Sequence, residues 1–178
     1  TDISGLKSIT YSLNGGTPTT ANAASTSLNI TTDGTTVLSY FATDNAGNSE
    51  AVKSLTIKLD KTAPTITASA KKADGTAYTP GSSTNQAVTV SFNCSDATSG
   101  ISGSCPANQV FSTEGSFSAS GSVSDNAGNT ANTSLAIKID QTAPTASPTQ
   151  SPAANANGWN NTDVIVSWNW TDNAGGAG

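Results

Sequence analysis

Apolar and polar residues alternate along several short stretches of this chain. Two such stretches flank the sequence Asp44-Asn45-Ala46-Gly47-Asn48: they carry Leu38, Tyr40 and Ala42 before it, and Leu55, Ile57 and Leu59 after it. Period-two alternation predicts β-strands that bury one face. The sequence between them supplies Asx side chains and a glycine, which a tight turn requires. The pattern therefore predicts a β-hairpin.

The same pattern occurs a second time. Asp125-Asn126-Ala127-Gly128-Asn129 follows the first turn sequence after 81 residues (125 − 44). Asp60-Lys61-Thr62-Ala63-Pro64 recurs as Asp140-Gln141-Thr142-Ala143-Pro144, 80 residues later (144 − 64). Proline has no N–H to donate, so Thr-Ala-Pro suits a linker or the first residue of an edge strand. A period near 80 built from short alternating segments predicts tandem β-sandwich modules.

The repeat divides the chain into three stretches. Residues 1–61 are predicted to be a module that lacks its first strands, residues 62–141 a complete module, and residues 142–178 the opening strands of a further module. The last stretch supplies what the first one lacks. One interpretation is that the chain is a segment of a long array whose borders cut through modules. The other is that separate subunits join head to tail by donor-strand complementation, and both interpretations predict a linear fibre.

The third stretch carries four large apolar side chains on one predicted strand face. Aligning Asp172 with Asp96 places Val164, Val166, Trp168 and Trp170 on Val88, Val90, Phe92 and Cys94. We therefore expect Trp168 and Trp170 to point into a sandwich core. Trp159 lies in the loop sequence Asn-Gly-Trp-Asn-Asn, and it is the candidate for contact with a ligand.

Composition and charge exclude several classes of function. The seven basic residues are all lysines, histidine is absent and the net charge is −5, so a phosphate-binding face for nucleic acid is not expected. No apolar run approaches the length of a membrane span, and we expect no membrane insertion. Without histidine or a glycine-rich loop that leads into a helix, the chain is not expected to be an enzyme.

The two cysteines, Cys94 and Cys105, are 11 residues apart (105 − 94) in a chain rich in serine and threonine. This arrangement predicts a disulfide, with two buried free thiols as the alternative. A disulfide indicates an oxidising, extracellular location.

These residues resemble the bacterial Ig-like repeats that occur in tandem in large secreted and cell-surface proteins, over essentially the whole chain. The resemblance is carried by Tyr11-Ser12-Leu13-Asn14-Gly15-Gly16, the two Asp-Asn-Ala-Gly-Asn turns and the two linkers that end in Thr-Ala-Pro. It implies an all-β fold of tandem immunoglobulin-like β-sandwich modules in an extended array. The cysteine pair is a departure, because such repeats usually lack one.

An immunoglobulin topology would bring several carboxylates to the same end of a module. Asp60, Asp96 and Asp125 would meet in the second module, and Asp140 and Asp172 in the third. Converging carboxylates in loops are ligands that Ca²⁺ prefers, which makes these five residues the candidate calcium ligands. The alternative is that each aspartate only caps its own turn through an Asx bond.

We expect the chain to be a structural repeat of an extracellular bacterial filament, stalk or adhesin, secreted or on the cell surface. Its partners would then be neighbouring modules or subunits. The alternative is a carbohydrate-binding accessory module of a secreted glycoside-degrading enzyme, in which Trp159 contacts host or surface glycans.

Overall fold

The computed structural model describes residues 4–172, which form fourteen β-strands and no helix. The all-β class is therefore confirmed, and the described part of the chain offers no helix that could cross a membrane. The strands are β1 Leu6–Leu13, β2 Thr19–Ala21, β3 Gly34–Asp44, β4 Lys53–Leu59, β5 Thr65–Lys72, β6 Ser83–Thr84, β7 Val88–Ser95, β8 Gln109–Phe111, β9 Gly115–Ser124, β10 Thr130–Ile139, β11 Thr145–Ala146, β12 Thr149–Ser151, β13 Ile165–Ser167 and β14 Trp170–Thr171.

The chain folds into two compact units. The first contains the described residues up to Thr65, together with Cys94–Ser104 and Val123–Ala131. The second contains Ile66–Asn93, Cys105–Ser122 and the described residues from Asn132 onward. The predicted division into three modules stays a prediction.

The first unit is built on a four-stranded sheet in the order β2-β1-β3-β4. Strand β3 pairs antiparallel with β4 and places Leu38 opposite Leu55, so the first predicted hairpin is confirmed. The sheet has no closed core of its own, since Ser8 is the only buried residue between residues 4 and 63. Its apolar side chains are half-buried or exposed instead.

The second unit contains the hydrophobic core. Sheets β5-β7-β8 and β6-β10-β9 both contribute apolar side chains to it. Its buried members are Ala70, Tyr78, Val88, Val90, Ala119, Leu135, Ile137 and Ile139. Val88 and Val90 on β7 and Ile137 and Ile139 on β10 are fully buried. One core shared by two sheets is consistent with a β-sandwich.

Both Asp-Asn-Ala-Gly-Asn sequences fold into the same turn. Asn48 donates from its backbone N–H to Asp44 Oδ1 and from Nδ2 to Asp44 Oδ2, at 2.8 Å each. Asn129 makes the same two bonds to Asp125, at 2.9 and 2.7 Å. The glycine of each turn has a positive φ, +95° at the first and +97° at the second, which is why glycine stands there.

The two linkers are also bonded alike. Thr62 Oγ1 donates to Asp33 Oδ2 at 2.8 Å, and Thr142 Oγ1 donates to Glu114 Oε2 at 2.6 Å. In both linkers the threonine N–H donates to the aspartate two residues earlier. The repeat that the sequence shows therefore extends to individual hydrogen bonds.

The third stretch preserves the register of the complete module at its start. Strand β11 pairs with β14 so that Thr145 lies opposite Thr171, and their hydroxyl oxygens are 2.7 Å apart. Thr65 and Ser95 hold the corresponding hydroxyl contact, also at 2.7 Å. This agreement supports the alignment of Asp172 with Asp96, since each follows directly after its strand.

The predicted burial of the third stretch is wrong. Trp168 is 62% exposed and Trp170 is 66% exposed, and Val164 and Val166 are exposed as well. The single predicted strand is also divided into the short strands β13 and β14. In the complete module, side chains of β9 and β10 share the core with β7.

The predicted disulfide is confirmed. Neither Cys94 nor Cys105 is a free thiol, and they are the only two cysteines in the chain, so they are bonded to each other. A stable disulfide is typical of proteins from an oxidising environment.

Asp74, in the turn after β5, makes stability depend on pH. Its carboxylate accepts bonds from Thr76 Oγ1 at 2.6 Å, Gln86 Nε2 at 2.9 Å and the Thr76 N–H at 2.8 Å. The Thr76 hydroxyl, the Gln86 amide and the Thr76 N–H, in that order, lower the pKa of Asp74 from 3.8 to about 2. Because the folded state prefers the ionised form, this stabilisation is present at neutral pH and is lost as pH falls between about 4 and about 2.

We expect Asp74→Asn to lower the melting temperature at pH 7, because the substitution removes the charge that these donors stabilise. The difference in melting temperature from the wild type should narrow as pH falls below about 4 and close only below about pH 2, where the wild-type carboxyl becomes fully protonated. Thermal unfolding followed by circular dichroism at a series of pH values measures this. A difference that does not change with pH would show that the charge contributes nothing.

Candidate functional site

Three of the five predicted calcium ligands meet in the first unit. Asp60 precedes the first Thr-Ala-Pro linker, Asp96 follows β7, and Asp125 begins the turn after β9. One carboxylate oxygen from each lies within 4.8 Å of the others. Asp125 is almost completely buried, whereas Asp60 and Asp96 are half-buried. Among residues 4–172, this is the one group of three or more potential metal ligands.

Two of these aspartates cap the turns in which they lie. Asp96 Oδ1 accepts hydrogen bonds from the N–H groups of Thr98, Ser99 and Gly100, at 3.1, 2.9 and 2.7 Å. Asp125 Oδ1 accepts bonds from the N–H groups two and four residues later, both at 2.9 Å. These are the local bonds through which Asx side chains hold a turn.

Asp60 joins the linker to the loop that follows β7. Its Oδ1 accepts the N–H of Thr62 and its Oδ2 accepts the N–H of Ser99, both at 3.0 Å. Asn129 Nδ2 adds longer bonds to the carbonyl oxygens of Asp60 and Thr62, at 3.2 and 3.3 Å. Asp60 and Asn129 thus hold together the linker, the loop that follows β7 and the turn that follows β9.

The buried carboxylate of Asp125 stays ionised. Burial is the largest influence and raises its pKa, but the Asn129 side chain and several backbone N–H groups together outweigh burial. The net result is a pKa below the ordinary value of an aspartate. A buried negative charge is therefore held by amide donors of its own turn.

The hydrogen bonds of the three carboxylates bear on the calcium prediction. Calcium takes six to eight oxygen ligands, and the three carboxylates here provide oxygen atoms of the right kind. Five of their six oxygens already accept N–H bonds, which the capping of turns explains without an ion. The geometry fits turn capping directly, and calcium binding at Asp60, Asp96 and Asp125 stays a prediction.

A calcium titration separates the two interpretations. If the carboxylates only cap turns, the melting temperature should be the same in millimolar calcium and in excess chelator. If they bind calcium, the melting temperature should rise with calcium concentration, because a ligand that binds only the folded state stabilises it. The variant Asp96→Asn is the matched control, since it would remove any such rise.

The other two predicted ligands, Asp140 and Asp172, are not members of this group. Asp140 Oδ1 accepts the N–H of Thr142 at 3.2 Å, as Asp60 does in the preceding linker. Asp172 follows β14. Within residues 4–172, neither belongs to a group of three potential metal ligands.

The predicted ligand contact, Trp159, is exposed. Its side chain is 73% accessible, in a loop where Asn155 Oδ1 accepts the N–H groups of Asn157 and Trp159, both at 3.0 Å. A second aromatic surface was not predicted: the rings of Trp168 and Trp170 stack with centroids 6.3 Å apart and 22° between their planes. Their period-two spacing placed them on one face, but this spacing cannot show whether the face is covered.

Comparison with known proteins adds no relative: no family model and no curated protein sequence matches this chain. The internal repeat is therefore the comparison that bears on function.

Proposed function

We propose that this chain is a structural repeat of an extracellular bacterial filament, stalk or adhesin, composed of tandem immunoglobulin-like sandwich modules. The observation that carries the proposal is the recurrence of the same turn bonds and of the same two threonine bonds in the linkers. The Asn48–Asp44 bonds recur as Asn129–Asp125, and the linker threonine twice reaches back to an acidic side chain. A repeat of about 80 residues is typical of structural proteins built from tandem modules, whereas an enzyme is built around a single reactive site.

A separate observation, the disulfide, supports a location outside the cytoplasm. The Cys94–Cys105 disulfide favours an oxidising compartment, and the small polar side chains on the outward strand faces suit a surface protein. We assign no reaction to the chain, because its converging carboxylates accept backbone N–H groups of their own turns and, for Asp60, of the loop that follows β7. The proposed partners are neighbouring modules or subunits.

Immunogold electron microscopy of intact source cells tests this proposal. Antibodies raised against the purified chain should label the outer surface or extracellular fibres without permeabilisation. Labelling that appears only after the cells are opened would contradict an extracellular structural role.

A carbohydrate-binding accessory module of a secreted glycoside-degrading enzyme is the second candidate. It is favoured by the exposure of Trp159 and of the stacked rings of Trp168 and Trp170. Exposed aromatic faces are rare on soluble proteins unless they contact something, and sugar rings pack on them.

Glycan-array binding distinguishes this candidate. Specific binding that Trp159→Ala abolishes would favour it, provided that Val110→Ala, a substitution at a comparably exposed apolar side chain, leaves binding unchanged. Absence of binding to any glycan leaves the structural role as the supported function.

A further inference from the structure

We propose that the exposed face of residues 164–170 docks on the β3–β4 sheet of a second copy of this chain and completes its first module. The donor face comprises Val164, Val166, Trp168 and Trp170, and the acceptor sheet comprises residues 34–59. This inference rests on the proposed structural role and deepens it by naming the partner.

The donor face has a covered counterpart within the same chain. Val164 and Val166 correspond to Val88 and Val90, which are fully buried. The structure supports this correspondence, because the Thr145–Thr171 hydroxyl contact reproduces that of Thr65 and Ser95. Phe92 and Cys94, the counterparts of Trp168 and Trp170, are half-buried, so the donor face corresponds to a strand face that is fully covered at the two valines and partly covered at the two tryptophans.

The acceptor sheet has a covered counterpart too. Leu55, Ile57 and Leu59 correspond to Leu135, Ile137 and Ile139, which lie 80 residues later. Leu135 is 8% exposed, whereas Leu55 is 53% exposed. The donor face and Leu55 are therefore exposed, and Ile57 and Leu59 are half-buried, which is unfavourable for apolar side chains unless another surface covers them.

The proposed contact continues an interface that already exists once. In the second unit, Val88 and Val90 of β7 share a core with Ile137 and Ile139 of β10. A second copy supplies the same pairing, with donor valines and tryptophans in place of β7 and the acceptor strand β4 in place of β10. A head-to-tail contact of this kind is heterologous, so it generates a linear fibre.

The side chains at one central contact differ in size between the two modules. Gly121 leaves room for Phe92 and Ile66, since a Cβ there would lie 2.9 and 3.1 Å from their side chains. Tyr40 stands at the position of Gly121 in the acceptor sheet, and Ala146 stands at the position of Ile66 in the third stretch. Trp168, which is larger, stands at the position of Phe92, so Tyr40 would meet one smaller and one larger donor neighbour and the packing there would differ from that of the complete module.

The hydrogen bonds expected at the polar end of the interface also have a counterpart within the chain. Asn129 Nδ2 binds the carbonyl oxygens of Asp60 and Thr62 in the linker. In the assembly, Asn48 of the second copy stands where Asn129 stands and faces the linker of Asp140 and Thr142. The same docking adds Asp44 of the second copy to Asp140 and Asp172, so that the three-aspartate group recurs at each junction.

Two complementary variants test the proposal. The donor variant carries Trp168→Asp and Trp170→Asp, and the acceptor variant carries Leu55→Asp and Ile57→Asp. Light scattering after size exclusion should show mass rising with concentration for the wild type, with self-association weakened more than about tenfold in either variant. A mixture of the two variants should form a heterodimer and nothing larger, because one intact donor face and one intact acceptor sheet remain.

Val110→Asp is the matched control. Val110 is 66% exposed, as Trp170 is, but belongs to neither surface, so this variant should assemble like the wild type. Heterodimer formation in the mixture itself shows that both variants are folded. The milder pair Trp168→Ser and Trp170→Ser, checked by circular dichroism, covers the case in which the charged donor variant does not fold.

Three results would overturn the proposal: a wild-type chain that is monomeric at every concentration, variants that assemble as well as the wild type, or a mixture of folded variants that remains monomeric. A monomeric chain that still labels the surface of intact cells would refute the second copy as the occupant while leaving the structural role intact. Labelling confined to opened cells would contradict the structural role, whatever the mass of the purified chain.

Discussion

Ile137→Ala should lower the free energy of unfolding by about 2–5 kcal/mol. Ile137 is fully buried in the core of the second unit, where it packs with Val88, Val90 and Ile139. Removing its side chain beyond Cβ leaves a cavity whose walls relax only in part, so the loss exceeds the transfer free energy of the deleted atoms. Urea denaturation followed by far-ultraviolet circular dichroism measures the change.

The repeat supplies a matched control for this experiment. Ile57 stands at the same position of the preceding repeat but is only half-buried. Ile57→Ala in the monomeric chain should therefore cost less than half as much as Ile137→Ala. Equal losses at the two positions would contradict the assignment of the core to the complete module.

Removing the disulfide by Cys94→Ser and Cys105→Ser together should destabilise the chain by about 3 kcal/mol, the loop-closure value for a short loop. The bond closes a loop of 11 residues (105 − 94) and so restricts the unfolded chain. The reason lies mainly in the unfolded state, whose conformational freedom the bond reduces.

Melting curves with and without reductant provide the check. The wild type should lose stability on reduction and approach the double variant, whereas the double variant should not respond to reductant. If reduction leaves the wild-type melting temperature unchanged, the bond does not contribute to stability as expected.

The features that were predicted most accurately from the sequence are the turns and strands that depend on residues close together in the chain. The Asp-Asn-Ala-Gly-Asn turn forms wherever it occurs, because its aspartate, asparagine and glycine make the necessary bonds within five residues. Period-two alternation likewise identified β3, β4 and β7. In contrast, the short strand β6, which pairs parallel with β10, carries no such alternation and could not be found from pattern alone.

Burial was harder to predict, because it depends on distant strands. Trp168 and Trp170 occupy positions that are core in the complete module, yet their exposure depends on what covers them. The candidate calcium site was also predicted only in part. The convergence of Asp60, Asp96 and Asp125 could be expected from topology, but the N–H groups that occupy their oxygens depend on the detailed shape of each loop.

The exposed tryptophans also limit what the repeat implies for the third stretch. Residues 142–172 do not form a closed module within the described chain, so the head-to-tail interpretation requires a second molecule to bury them. The exposure of Trp168 and Trp170 therefore leads to the prediction that a second copy buries them.

Electron microscopy of the purified 178-residue chain tests the central claim most directly. We expect linear filaments in which density for residues 145–172 of one copy lies against the β3–β4 sheet of the next, with Trp168 and Trp170 buried at the junction. Dispersed single particles at every concentration, with both tryptophans facing solvent, would contradict the account.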